Sequence, residues 1–201
     1  MSKTSIYFLC YNIVQNLIMN GMKVVCIVGM PGSGKSEVAK LFKAKGYNTV
    51  RFGDITDEEV KKQGLKLNEE NERKARESLR QQHGMDAYAK LSLPRIEAAL
   101  KTANAAVDGL YSWEEYTYLK NRFGKDFIVV AIWSSPEDRY KRLGSRKIRP
   151  LTPEEAESRD KAEIQNMNKG GPIAMADFTI LNDASLSEMK QQVDKIIARI
   201  K

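Results

Sequence analysis

Unbroken apolar runs alternate along the chain with longer stretches whose apolar residues return every three or four positions, the layering of an α/β domain. The run Val24-Val25-Cys26-Ile27-Val28 is continuous and largely β-branched, as expected of a strand buried on both faces. Residues 34–44 follow with Val38, Leu41 and Phe42 on one helical face. A short second strand is expected over residues 48–52, a third over 105–108, a fourth over 127–133 and a fifth over 178–181. Between the second and third strands, residues 57–102 are almost wholly helical in composition, with a break near His83-Gly84. Residues 186–200 close the pattern as an amphipathic helix with Met189, Val193, Ile196 and Ile197 inward. No repeat or low-complexity tract interrupts residues 22–201, which read as one compact unit.

The first 21 residues fit the pattern less well. Residues 6–19 are apolar but broken by Asn12, Gln15 and Asn16, short of the ~18 continuous apolar residues of a spanning helix. Met19-Asn20-Gly21-Met22 supplies no small-x-small cleavage site. Met22-Lys23 directly precedes the first strand and would serve as a chain start, so residues 1–21 read as a dispensable extension.

With 42% hydrophobic and 29% charged residues in 201, disorder and fibrous repeats are excluded. The formal charge of +7 suits anionic partners, nucleotide phosphates or nucleic acid, without choosing between them. Two cysteines cannot build a disulfide framework, so a reducing, cytoplasmic setting is expected, and no Cys/His cluster suggests structural zinc.

One segment carries explicit chemistry. Gly29-Met30-Pro31-Gly32-Ser33-Gly34-Lys35-Ser36 matches G-x-x-x-x-G-K-S/T in full, between a buried strand and a helix. The glycines let successive N–H groups turn inward as a nest for phosphate oxygens, and the helix start adds its positive end. Lys35 would bridge β- and γ-phosphate oxygens, and the Ser36 hydroxyl would ligate Mg²⁺. A second metal ligand should stand at the tip of another strand, and Asp108 is placed there. ATP and Mg²⁺ are therefore the expected cofactors. Asn168-Lys169-Gly170-Gly171 lacks the Asp of a guanine-reading motif and follows no strand, which argues against a GTPase, and large motor ATPases need more chain. A small-molecule kinase leads. The alternatives are a nucleotide-operated switch and an RNA-associated factor, the latter without an aromatic-basic signature to support it.

On these residues the chain resembles the nucleoside monophosphate kinase superfamily, adenylate kinase and dephospho-CoA kinase in particular, and most nearly an archaeal branch of adenylate-kinase-related proteins. The likeness runs from Met22 to the C-terminus. It rests on residues 29–36, on Phe52-Gly53-Asp54, on Asp108-Gly109, on the arginine-rich stretch 139–159 and on Ala176-Asp177-Phe178-Thr179-Ile180-Leu181-Asn182-Asp183. It implies an α/β P-loop NTPase fold with a five-stranded parallel sheet of order 2-3-1-4-5, a helical acceptor-side insert at 57–102 and a lid at 139–159. The lid arginines Arg139, Arg142, Arg146, Arg149 and Arg159 would close over the triphosphate, with Arg142 and Arg146 the leading catalytic candidates. Pro150-Leu151-Thr152-Pro153 would hinge the lid, Thr152 capping a helix whose first turn holds Glu154 and Glu155. Asn182 would touch the adenine. The implied activity is transfer of the ATP γ-phosphoryl to a nucleotide-like small molecule.

The departures from that pattern concern the acceptor. Adenylate kinases carry an acceptor-phosphate arginine soon after the second strand and another after the third. Here Asp54-Ile55-Thr56-Asp57-Glu58 and Leu110-Tyr111-Ser112 stand in those places. Asp54 would then serve as general base toward a hydroxyl acceptor, unless it only caps the following helix. Arg73, Arg76 and Arg80 share one helical face at i, i+3 and i+7, which would either replace those missing phosphate contacts or, the reading preferred on spacing alone, form a solvated face. His83 beside a glycine reads as an exposed loop residue rather than a general base, and Tyr111, Trp113, Tyr116 and Tyr118 as packing for an adjoining helix rather than as a stacking platform for an acceptor base.

Overall fold

The computed structural model describes residues 21–148 and 150–200. Apart from Gly21, the expected extension lies outside them, as does Arg149. Five strands form one parallel sheet: β1 (Val24–Val28), β2 (Asn48–Arg51), β3 (Ala105–Asp108), β4 (Phe127–Trp133) and β5 (Phe178–Leu181). Their spatial order is β2-β3-β1-β4-β5, as the resemblance implies. β1 sits at the centre, with Val24 to Ile27 registered against Ala105 to Asp108 on one side and Val24 to Val28 against Phe127 to Ala131 on the other.

All five residues of β1 are fully buried, and strand alternation divides them between two layers. Val24, Cys26 and Val28 pack on one face with Tyr88, Ile96 and Leu119. Those partners belong to α4 (Ala87–Ala99) and α5 (Trp113–Phe123). Val25 and Ile27 pack on the other face with Val38 and Phe42 of α1 (Lys35–Ala44) and Met189, Val193 and Ile196 of the C-terminal helix, α9 (Leu186–Arg199). A continuous apolar strand is thus needed because neither face meets water.

The helical stretch after β2 begins earlier than expected, at Gly53, two residues past the end of the strand. It comprises α2 (Gly53–Lys62), α3 (Glu69–His83) and α4, with the break at Gly84 in the left-handed region at φ +91°. The arginine-rich stretch folds as α6 (Pro136–Gly144), a loop, and α7 (Pro153–Gln165). Thr152 caps α7 in a full capping box with Glu155, next to Pro153 at the first helical position. A five-residue helix, α8 (Gly170–Ala174), precedes β5. No helix among the described residues is long and apolar enough to cross a membrane.

The tyrosines after β3 pack as expected. Tyr111 lies 5.7 Å from the Tyr88 ring, and Tyr116 stacks on Trp113 at 5.0 Å and meets Phe127 edge-on at 5.6 Å. His83 is exposed.

Candidate functional site

β1 ends at the strands' C-terminal edge, and the loop that follows turns back into α1. Gly32 at φ +79° and Gly34 at φ +103° hold conformations that side chains resist. A Cβ on Gly32 would also stand 2.7 Å from the Arg139 carbonyl oxygen, and one on Gly29 2.6 Å from the Ile132 carbonyl oxygen, so two glycines of the motif are demanded by packing as well as by the ligand nest. Lys35 bends over this loop, its Nζ donating to the Gly29 oxygen at 2.8 Å and the Met30 oxygen at 3.1 Å.

The Ser36 hydroxyl donates to Asp108 Oδ2 at 3.2 Å. These are hard oxygen donors, side by side, at the loop that would present phosphate oxygens, and they fit Mg²⁺ completed by phosphate and water. No group of three or more His, Cys, Asp or Glu among the described residues forms a self-sufficient metal cage.

A cleft of about 180 Å³ opens in front of Lys35. The phosphate loop and Asp108 form its floor, α2 and α3 one wall, and the loop after α6 with α7 the other. Of the expected lid arginines, Arg146 and Arg159 line it. Arg139 and Arg142 do not, because other partners claim them. Arg139 is buried and holds Asp160 through both terminal nitrogens, at 3.0 and 2.7 Å, while also donating to the Pro31 and Ser134 oxygens. Arg142 donates to Ser134 Oγ at 3.0 Å and to the Asn182 oxygen at 2.9 Å. Asn182, expected at the base, turns its amide to the phosphate loop and donates to the Ser33 oxygen at 2.7 Å.

Asp54 is also placed differently from the expectation. Because α2 starts at Gly53, Asp54 falls in its first turn, half-exposed and 2.8 Å from Arg51 Nη1. Asp57, one turn on, shares that guanidinium at 2.8 Å and is the carboxylate of the pair that lines the cleft. The two acids drive the Arg51 guanidinium above its ordinary range despite the opposing effect of burial.

Lys169 enters the sequence reading only within the rejected guanine motif, with no role at the site. Asn168, in the left-handed region at φ +51°, turns the chain so that Lys169 at the start of α8 enters the cleft, 1% exposed. Its Nζ pairs with Glu163 of α7 and lies 5.2 Å from the Tyr111 ring centroid. A lysine in a glycine-rich turn carries no spacing signal, so nothing local marks it. Glu163 is nearly buried, which alone would raise its pKa, but Lys169, Arg159 and Lys35 outweigh burial and hold it at about 2.

The face of α3 read as solvated also borders the site. Arg76 and Arg80 line the cleft, and Arg73 lines its continuation. Spacing identifies a shared face; only tertiary packing shows that α7 lies opposite it.

Burial and the charge of Lys169 lower the Lys35 ammonium to about 7, against partial support from Glu163 and Asp108. A triphosphate brings negative charge and restores the lysine toward its ordinary value, so binding at neutral pH takes up a proton. Below pH 7 the ammonium is already present; above it, binding must supply the proton. Affinity for an ATP analogue is therefore expected to fall as pH rises past about 7, by at most tenfold per unit. Calorimetric titrations from about pH 6 to about pH 9 check this, and a flat profile contradicts it.

Comparison with known proteins agrees with this geometry. A family model described as an AAA domain matches residues 25–165. A UPF0200 protein of Thermococcus kodakarensis is 39% identical over 181 residues, covering 88% of this chain and 97% of its own. One from Methanoculleus marisnigri is 37% identical, with 89% and 97% covered. Among solved structures, a gluconokinase from Sinorhizobium meliloti superposes with a TM-score of 0.59 at 14% identity, over 89% of this chain and 93% of that one. A shikimate kinase from Bacteroides thetaiotaomicron gives 0.59 at 13%, covering 89% and 98%. Dephospho-CoA kinase from Campylobacter jejuni gives 0.52 at 18%, covering 90% and 98%. At such identities the likeness shows a shared P-loop kinase fold.

Proposed function

The chain belongs to the UPF0200 family, its core to the AAA-domain family, and from that premise we propose that it is an ATP-dependent phosphotransferase whose acceptor is a small molecule. The observation carrying this reading is the cleft in front of Lys35, where Arg146, Arg159 and Lys169 face the phosphate loop from the opposite wall. A nucleotide switch needs no such second wall; a transferase needs one to hold an acceptor and exclude water. The kinase titles of the structural neighbours support the same reading at the level of fold.

In this reading the triphosphate lies along the loop from Gly29 to Ser36, with Met30, Pro31 and Ser33 contributing main chain. Lys35 leaves the Gly29 and Met30 carbonyls for the β- and γ-phosphate oxygens. Mg²⁺ bound by Ser36 and Asp108 would supply positive charge against the oxygens of the leaving group. Arg146, Arg159 and Lys169 neutralise charge on the transferring group from the far side, so catalysis is positioning plus electrostatics. Arg142 acts at one remove, holding Asn182 against Ser33. Where the acceptor is a hydroxyl, Asp57 rather than Asp54 is the carboxylate on the acceptor side that can take its proton.

The test is ADP release from ATP and Mg²⁺ across a panel of nucleosides, nucleoside monophosphates, sugars, sugar acids and dephospho-CoA. We expect one class to raise the rate by roughly a hundredfold over hydrolysis, as positioning of an acceptor should. Release that stays unchanged by every small molecule, while ATP still binds, would overturn the reading.

A further inference from the structure

The cleft continues between α3 and α7 into a second cavity of about 400 Å³, inside the range of small-molecule sites. Arg76, Arg80, Arg159 and Glu163 border both spaces, and Met85 and Met167 give the second an apolar side.

Ion pairing separates the arginines around it. Arg76 is held by Glu69 at 2.6 Å, and Arg159 by Glu163 at 3.2 Å and Glu69 at 3.5 Å. Arg73 forms no ion pair with any described residue. Arg80 is the unusual one. Its side chain is only 10% exposed, its guanidinium lies 4.8 Å over the Tyr88 ring, and its buried Nε and Nη2 have no hydrogen-bond acceptor. The carboxylate beside it, Glu115, stops 3.8 Å short, and its Oε1 is likewise without a donor.

The gap has a local cause. Glu115 completes the capping box of α5, its Oε2 accepting from the main-chain N–H groups of Tyr111 at 2.7 Å and Ser112 at 3.2 Å. Those bonds hold the carboxylate to the helix start and keep it from closing onto Arg80. A buried guanidinium with unmet donors is costly, and because Arg80 lines both spaces, a small turn of its side chain toward an oxyanion in the cavity removes that cost.

We propose that Arg80 anchors an oxyanion of the acceptor, a phosphomonoester or a carboxylate, and that Arg73 at the cavity's exposed side draws it in. The proposal rests on the phosphotransferase reading for the word acceptor, but the anion site itself does not. It supplies, from α3, an anion contact that the segments after β2 and β3 lack.

The experiment saturates the full chain with a non-hydrolysable ATP analogue and Mg²⁺, so that the phosphate loop is occupied. Inorganic phosphate and acetate are then titrated calorimetrically, followed by nucleoside 5′-monophosphates and the matching nucleosides. One of the two anions is expected to bind, phosphate for a phosphomonoester acceptor and acetate for a carboxylate. Arg80→Met should weaken that binding about thirtyfold or more, and Arg73→Ala a few-fold with a shallower salt dependence. Arg80→Lys keeps the charge over Tyr88 but loses the planar fork; it should recover only part of the affinity, and it carries the test should the Met variant melt early. Absence of anion binding in the wild type, or equal binding in the folded Arg80 variants, overturns the proposal. The transfer assay separates the two readings. Anion binding without acceptor-stimulated ADP release leaves the site standing and removes the kinase, whereas stimulation by neutral acceptors alone does the reverse.

Discussion

On the proposed phosphotransferase function, Lys35→Ala is expected to lower phosphoryl transfer about a thousandfold while leaving the melting temperature close to that of the wild type. The catalytic loss follows from the position of Nζ, which sits on the phosphate loop beside the place where γ-phosphoryl charge must be met. The mild effect on stability follows from the same surroundings. Lys35 is held at about 7 because burial and Lys169 disfavour its charge, so its ammonium contributes little to the stability of the fold. Removing it also leaves Glu163 with Lys169 and Arg159 as partners. Single-turnover transfer and calorimetric melting read the two quantities together. Transfer within a few-fold of wild type would contradict the role given to this lysine.

The largest loss of stability is expected from Arg139→Met. Arg139 and Asp160 are 5% and 7% exposed and meet through two parallel bonds, and Tyr140 adds only a 3.1 Å contact to Asp160. Truncating the arginine strands a carboxylate in the interior, at a cost of about 3–5 kcal/mol. For a domain of this size that is a fall in Tm of roughly 10 °C. It also frees the Pro31 carbonyl, so nucleotide affinity should decline as well. Adding Asp160→Leu to Arg139→Met should restore much of the melting temperature, since no stranded charge remains, but not the nucleotide affinity. A single variant melting within a few degrees of wild type would refute this account.

These two residues also mark how far the sequence can be read. Lys35 was legible because the phosphate loop is local: eight consecutive residues, a continuous apolar strand before them and a helical period after them. The strands and closing helix were legible for the same reason, with boundary shifts of a residue or so at β2 and α1. Arg139 was legible only as a charge. Whether an arginine of 139–159 faces phosphate, a carbonyl or Asp160 depends on contacts spanning the whole chain, and among the described residues only Arg146 and Arg159 of that stretch reach the cleft. The α3 arginines repeat the lesson: spacing placed Arg73, Arg76 and Arg80 on one face, yet what that face meets is set by α7. The place of Asp54 was missed for a smaller reason, since starting α2 four residues early turns Asp57 inward. Lys169 was legible only as part of an incomplete guanine motif, because a single cation in a turn has neither period nor partner in sequence.

The Ser33 carbonyl is held by an amide 149 residues downstream and the Pro31 carbonyl by a guanidinium 108 residues downstream. The motif is therefore written early in the chain but finished late. While the polypeptide emerges from the ribosome, residues 29–36 exist long before Asn182 and Arg139 arrive to fix their main chain. Such distant pairings are slow to form and cooperative with the closing of the sheet. A nascent or truncated chain ending before β5 holds the whole nucleotide signature and Arg139 but lacks Asn182, the other half of the brace, so on the proposed function capture of a triphosphate is expected to come among the last events of folding and to stabilise only the completed molecule.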